Sequence, residues 1–246
     1  MESRRLNRIE SLLLVCMSLL SLAVGCDDGD AEAGVDAGTN VVMAGVDPFC
    51  DTRPQYDFCE DFDTQALPGS FDEQIIEGGE LIITDEDASS LPRSLKVTVE
   101  SGQTAALRHQ FQAGGKIRLF GMLYVSELGE GDVEIGAFEA GDYRVGFGVR
   151  SDGHLWAHED GEQLAAEGTI PVGRWASFRW DVNLYADGTG SAKLRFGNDY
   201  IVNTEMLMRP MASEVLPAAT VGLSDATGPW TMRFDNLTVS VKELDE

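Results

Sequence analysis

Histidine, cysteine and basic residues are all scarce in this chain of 246 residues, and each scarcity closes off some chemistry. The three histidines (His109, His154, His158) form no HExxH zinc motif. A G-x-S-x-G nucleophile elbow and a phosphate-binding glycine loop are also missing. No apolar run reaches the roughly 20 residues that a membrane-spanning helix needs. Eighteen Lys and Arg face 42 Asp and Glu, for a net charge of −24. A surface so acidic repels nucleic acid and anionic membranes, and acidic polysaccharides are poor partners unless a local basic patch or a metal intervenes. Calcium, by contrast, suits a surface rich in carboxylates.

The N-terminus gives an address. Arg4, Arg5 and Arg8 precede a short apolar run, Ser11 to Gly25, that ends in small residues. This is the layout of a secretory signal rather than a spanning helix. "AVGC", residues 23–26, resembles the lipobox of bacterial lipoproteins, although that pattern prefers Leu where Ala23 stands. The resemblance implies a signal peptide over 1–25, lipid on Cys26 and residence in the bacterial cell envelope, with the membrane reached through the lipid alone. An unused lipobox would leave a secreted protein. Loss of residues 1–25 removes Arg4, Arg5, Arg8, Glu2 and Glu10, leaving 15 basic and 40 acidic residues. Residues 26–47 are acidic and rich in Gly and Ala, without aromatics, and read as a flexible linker. Of the four cysteines, Cys16 leaves with the signal and Cys26 takes the lipid. Cys50 and Cys59 remain as a pair outside the membrane, where a disulfide is expected.

Residues 48–246 form one domain by length and are almost entirely strand-like. Apolar residues alternate in "YRVGFGV", "WASFRWDVNL", "AKLRF" and "ATVGL", separated by Gly78-Gly79, Asp152-Gly153, Asp187-Gly188 and Gly197-Asn198. "KIRLFGMLYV" is apolar in both phases and reads as a strand covered on both sides. His109 falls in phase with Leu107 and Phe111, as a core histidine would. The expectation is an all-β, two-sheet antiparallel β-sandwich.

"FCEDFD" near the start, "VGRWASFRWDV" with "DGTGSAKLRFG", and the closing "GPWTMRFDNLTVSV" together resemble laminin-G-like and concanavalin A-like domains. Their order along Phe58 to Val241 carries the resemblance. It implies a jelly roll, often one that binds carbohydrate on a concave face and holds a structural Ca²⁺. Fold alone does not fix function, since hydrolases and lyases share the architecture. In the closing strand, Met232 and Phe234 are in one phase while Leu237, Val239 and Val241 are in the other. A β-bulge at Asp235-Asn236 is the expected cause. By the resemblance, Asp235 would join Asp61 or Asp63 at a Ca²⁺; equally, Asp235 could simply hydrogen-bond the bulge backbone.

"EIGAFE", residues 134–139, approaches the E-I-D-A-F-E signature of laminarinase-like glycoside hydrolases, with Gly136 in place of the Asp. The resemblance implies Glu134 and Glu139 as a catalytic pair, provided a bulge brings the carboxyls to about 5–5.5 Å. Two exposed Glu on an ordinary strand explain the segment as well.

The remaining candidate site lies in "GVRSDGHLWAHED". A three-residue Ser-Asp-Gly loop pairs Arg150 with His154, Gly148 with Trp156 and Gly146 with His158, leaving the other face cleanly apolar. Arg144, Arg150, His154, Trp156 and His158 then share one face as candidate ligand-binding residues. A flat indole beside two glycines suits a stacked sugar ring, or serves only to cover bare backbone. A non-catalytic carbohydrate-binding module is the first reading; a polysaccharide-cleaving enzyme and an adhesion domain with a protein partner are the alternatives.

Overall fold

The structure is a computed structural model that describes residues 49–242 apart from 64–65, 113–114, 142, 165, 185–189, 198 and 207–215, with backbone only at 184, 190 and 199–206. The signal segment, the linker and Cys26 lie outside the described residues.

Among the described residues every regular element is a strand. These are β1 (Phe58–Glu60), β2 (Glu73–Glu77), β3 (Glu80–Thr84), β4 (Ser94–Val99), β5 (Thr104–Gln110), β6 (Lys116–Tyr124), β7 (Val133–Ala140) and β8 (Tyr143–Val149). They continue with β9 (Leu155–Glu159), β10 (Glu162–Leu164), β11 (Trp175–Leu184), β12 (Gly190–Phe196), β13 (Asp199–Met206), β14 (Ala218–Ser224) and β15 (Trp230–Lys242). Sheet A runs β13-β12-β11-β6-β15-β4-β3, with β1 also on β15; sheet B runs β10-β9-β8-β7-β14-β5-β2. Every pairing of named strands is antiparallel. The fold is therefore a two-sheet antiparallel β-sandwich.

Alternation of apolar residues decides which face of each sheet turns inward. Phe147 of sheet B meets Trp180 of sheet A edge-on, with ring centroids 4.7 Å apart, and lies 5.8 Å from Phe178. These aromatic contacts, with Val145, Val149, Leu194 and Phe234 fully buried around them, weld the two layers. His109 packs against Phe58 and Phe111 with its Nδ1 3.0 Å from Asp72 Oδ2, and burial lowers its pKa, so the imidazole is part of the packing. Of the two tryptophans on β11, Trp180 is core, and Trp175 packs on Tyr124 on the other side.

Three local features match the sequence reading, and one does not. Cys50 and Cys59 are disulfide-bonded, a link whose short loop is worth roughly 2.5 kcal/mol in the chain-entropy view. The closing strand carries its bulge, with a register shift between Asp235 and Thr238 and Asn236 at φ 53°. The Ser-Asp-Gly hairpin has the expected register: Gly148 faces Trp156, Gly146 faces His158, and Gly153 takes the left-handed φ of 82° that this loop requires. β6, however, is not covered on both faces. Its alternate residues Arg118, Phe120, Met122 and Tyr124 are only half-buried, because nothing in the described chain packs on the outside of sheet A. Of these outer residues, Tyr124 packs sideways against Trp175 of β11.

Candidate functional site

The outer face of sheet B is built by β7, β8 and β9. Ile135 is an extra residue in β7, and the register against β8 shifts there, so Glu134 faces Gly148 while Glu139 faces Arg144. Both carboxylates consequently emerge on the same outer face as Arg144, Trp156 and His158. A matching irregularity in β14, between Val221 and Ser224, sets Ser224 beside Glu134.

Glu134 is fully buried and saturated with donors. Arg144 Nη1 donates to its Oε2 at 2.8 Å, and Arg144 Nη2 to its Oε1. His158 Nε2 donates to Oε2 at 2.6 Å and Ser224 Oγ to Oε1 at 2.9 Å. Burial on its own would raise the Glu134 pKa. The hydrogen bond from His158, the charge and hydrogen bonds of Arg144 and the Ser224 hydroxyl outweigh it, holding the carboxyl below the ordinary glutamate range. Arg144 is correspondingly pushed up: desolvation opposes its charge, but Glu134, Glu139 and Asp225 more than compensate. Arg144 Nε also reaches Glu139 at 3.3 Å, so one guanidinium bridges both glutamates of "EIGAFE".

Two glycines allow the rings to lie flat on β8. A Cβ on Gly148 would run into the Trp156 indole and the Val133 carbonyl; one on Gly146 would strike His158 and Glu134. Trp156 and His158 stack on each other at 5.6 Å and 27°. The indole Nε1 is buried without a hydrogen-bond partner, so Trp156 meets the outside with its ring rather than its N–H. Above these residues lies a cavity of about 730 Å³ with Arg144, Arg150, Trp156, His158 and Gln163 in its lining and Asp132, Asp160 and Asp225 among its acids. That size is within the range of small-molecule sites.

Four of the five candidate ligand residues thus come together. His154 does not line the cavity: it is the first residue after the turn, is mostly exposed, and its Nδ1 sits 3.2 Å from Asp152 Oδ1. Sequence reading missed Gln163, brought alongside by pairing with His158, and Ser224, brought alongside by pairing with Glu134. Glu134 and Glu139 share Arg144 as a common hydrogen-bond donor.

The acids at the other sheet behave differently. Asp61 is spent on the backbone, accepting from Cys50 N at 3.0 Å and Asp63 N at 3.3 Å. Asp235, fully buried, accepts from Ser89 N and Ser90 N at 2.8 Å each and from Asn236 N at 2.7 Å, so it does hydrogen-bond its own bulge. Burial raises Asp235 to about 7, against those N–H donors, and the charge of Asp63 adds to the rise. Burial likewise raises Asp63 to about 6, against the Arg93 N–H, with Asp61 adding to the rise. Asp63 Oδ2 is buried without a partner. Among the described residues no group of three His, Cys, Asp or Glu is arranged to hold a metal ion. Asp61, Asp63 and Asp235 therefore do not form a ligand set by themselves. Asp63 and Asp235 are nonetheless a pair of repelling buried carboxyls with one oxygen unsatisfied, and an oxygen donor pair suits a hard cation.

Neither a protein-family model nor a curated protein matches this chain. Solved structures do. An endo-β-1,4-glucuronan lyase from the fungus Trichoderma reesei superposes with a TM-score of 0.60 at 14% identity, over 76% of this chain and 96% of that one. The cellulose-induced protein Cip1 gives 0.59 at 14% identity, over 77% and 100%. A marine PL-14 alginate lyase from Aplysia kurodai gives 0.58 at 12% identity, over 76% and 99%. At these identities the likeness is one of fold.

Proposed function

We propose that the outer face of sheet B is a carbohydrate-binding site and that it binds without cleaving. The observation that carries this reading is the Trp156 ring, laid flat over Gly148 as one wall of the 730 Å³ cavity. Around it stand donors (Arg150, Gln163) and acceptors (Asp132, Asp160, Asp225), a mixture suited to the hydroxyls of a neutral sugar. The sandwich shared with proteins named as a glucuronan lyase and an alginate lyase supports a glycan ligand by analogy of fold. Against cleavage stands Glu134. Both its oxygens are engaged by Arg144, His158 and Ser224, which leaves neither open to attack or protonate a sugar. The glycan is the primary ligand in this reading, ahead of a protein partner.

The decisive experiment is a panel of soluble neutral polysaccharides tested against the wild-type chain and Trp156→Ala. The expected result is at least a tenfold weakening for the variant, about 1.4 kcal/mol, with the fold retained by circular dichroism. No binding by the wild type, unchanged binding by the variant, or release of reducing ends or unsaturated products would each defeat the reading.

Two accompanying proposals concern setting. Cys26 carries lipid and anchors the domain in the cell envelope. Asp63 and Asp235 hold a structural Ca²⁺ with help from oxygens outside the acidic trio. Bound there, the ion would relieve the repulsion between the two carboxyls and tie the chain after β1 to the bulge of β15.

A further inference from the structure

The outer face of sheet A concentrates positive charge in a protein that otherwise has little of it. Lys116, Arg118, Arg179, Lys193, Arg195 and Lys242 are six of the chain's eighteen basic residues, and β-pairing gathers them onto four adjacent strands. In one row Lys193, Asp181, Arg118 and Ser240 stand side by side across β12, β11, β6 and β15. In the next Ser191, Asn183, Lys116 and Lys242 do so, and on the opposite flank Arg195 faces Arg179. All six alternate with buried core residues, so their side chains emerge on the outer surface.

One of these juxtapositions is costly. Lys116 lies directly opposite Lys242, and like charges so placed repel and weaken a sheet. Among the described side chains in these rows Asp181 is the one acid, and it is already shared. Arg118 Nε donates to its Oδ1 at 2.6 Å and Arg179 Nε to its Oδ2 at 2.8 Å. Further along the same face the pattern is ordinary: Arg233 has Glu86 and Asp87 as partners, and Lys96 has Glu86. The imbalance is local to β12-β11-β6-β15.

We propose that this face binds an acidic polysaccharide, one carrying carboxylate or sulfate groups, as a second site distinct from the cavity on sheet B. The proposal goes beyond the carbohydrate reading above and does not depend on it. Three observations fix the class of ligand. Positive charge concentrated on these four strands of a strongly acidic protein favours a polyanion over a neutral glycan. Lys116, Arg118, Ser240 and Lys242 line a depression of about 50 Å³, room for a single anionic group rather than a bilayer. Among the described residues, the large apolar side chains that are well exposed (Ile76, Ile82, Leu91, Leu128, Val172, Leu216) all lie outside these rows, and Phe120 beside Arg179 is half-buried, which disfavours insertion into lipid. Lys116 and Lys242, on neighbouring strands about 4.8 Å apart, can meet adjacent charges of such a polymer.

The test uses the full chain with dextran sulfate and polygalacturonate as charged probes, dextran as the neutral control, and vesicles of phosphatidylglycerol and phosphatidylcholine as the competing surface. The informative variant is Lys116→Gln with Lys242→Gln, because these two repel each other and neither is a partner of Asp181. It should keep or raise the melting temperature, which shows that it folds, while weakening binding to at least one charged polymer tenfold or more at 50 mM NaCl. Raising the salt to 200 mM should weaken the wild type more than the variant, since fewer counterions are displaced by the variant. Trp156→Ala should bind the charged polymer as the wild type does, which separates this site from the one on sheet B. The proposal is overturned if neither charged polymer binds, if the double variant binds as well as the wild type, if dextran binds equally, or if the vesicles and not the polymers depend on Lys116 and Lys242.

Discussion

Glu134 and His158, 24 residues apart in the chain, meet through a 2.6 Å hydrogen bond on the outer face of sheet B. The bond exists because Gly146 leaves a gap on β8 through which the imidazole reaches across to β7. With Arg144 and Ser224 it makes a closed network around a carboxylate removed from water. Such a network rigidifies the floor of the cavity, and its members are costly to remove singly.

Glu134→Gln is expected to destabilise the domain by about 1.5–3 kcal/mol, because His158 and Ser224 lose a charged acceptor while Arg144 keeps Glu139 and Asp225. Glu139→Gln, at a carboxylate about one-third exposed, should cost no more than about 1 kcal/mol. Urea titration followed by tryptophan fluorescence measures both. Equal, small effects would mean that Glu134 is not the keystone of this face.

Stability should respond to pH in two opposite ways, each traceable to named acids. Glu134 has its folded pKa lowered, so its contribution is present above the ordinary glutamate range and is lost as pH falls through the depressed value. Asp63 and Asp235 have folded values raised to about 6 and about 7 from 3.8, so the native state holds more protons than the unfolded one in between. Stability from this pair therefore rises as pH drops from 8 towards 5. In EDTA the melting temperature should climb over that interval and fall at lower pH. Asp63→Asn should flatten the climb. Millimolar Ca²⁺ at pH 8 should raise the melting temperature of the wild type and not of Asp235→Asn. A wild-type melting temperature that falls steadily from pH 8 to 5 in EDTA would refute the pairing.

The hairpin was readable in advance because every cue needed was local. An Asp-Gly turn and one residue parity put Val149, Leu155, Phe147 and Ala157 inside and fixed Gly148 against Trp156. The environment of Glu134 was not readable, because it depends on Ile135 standing as an extra residue in β7 and on β14 arriving with Ser224. No short motif records those pairings. Likewise "EIGAFE" does not reveal that Arg144 bridges its two glutamates. The basic face of sheet A is illegible in the sequence for the same reason: its six cations are scattered from residue 116 to 242 and become neighbours only through strand order. His154 illustrates the limit of parity. It has the correct phase, but lies beyond the end of the cavity, tied to Asp152 at the turn.

Lipidation of Cys26 predicts a partitioning behaviour. The wild-type chain expressed in a Gram-negative host should fractionate with membranes and enter the detergent phase of a Triton X-114 separation. Cys26→Ser should move it to the aqueous phase without changing the melting temperature of the domain, since the substitution lies outside the described strands and their core. If the wild type is already aqueous, or the variant stays with the detergent, the lipobox is not used.

Gly148→Ala tests whether Trp156 owes its position to the bare backbone beneath it. The substitution brings no backbone strain, because Gly148 is not in the left-handed region; its cost is steric. One neighbour of the new methyl, the Val133 carbonyl, belongs to the β7 ladder and cannot move without disturbing the pairing of β7 with β8. The other, the indole, can swing away. The variant should lose about 1–3 kcal/mol of stability and shift the Trp fluorescence as the ring leaves its seat. It should also lose binding to any neutral glycan that Trp156 recognises. A double-mutant cycle with Trp156→Ala separates the two neighbours, since deleting the indole removes its share of the clash and leaves the carbonyl's. A coupling of about 1 kcal/mol is expected between the two substitutions, against the few tenths seen for sites that do not touch. Additive effects on stability would mean that the ring does not rest on Gly148. Retained glycan binding by Gly148→Ala would mean that the flat placement of the indole is a cover for the backbone and not a platform for sugar.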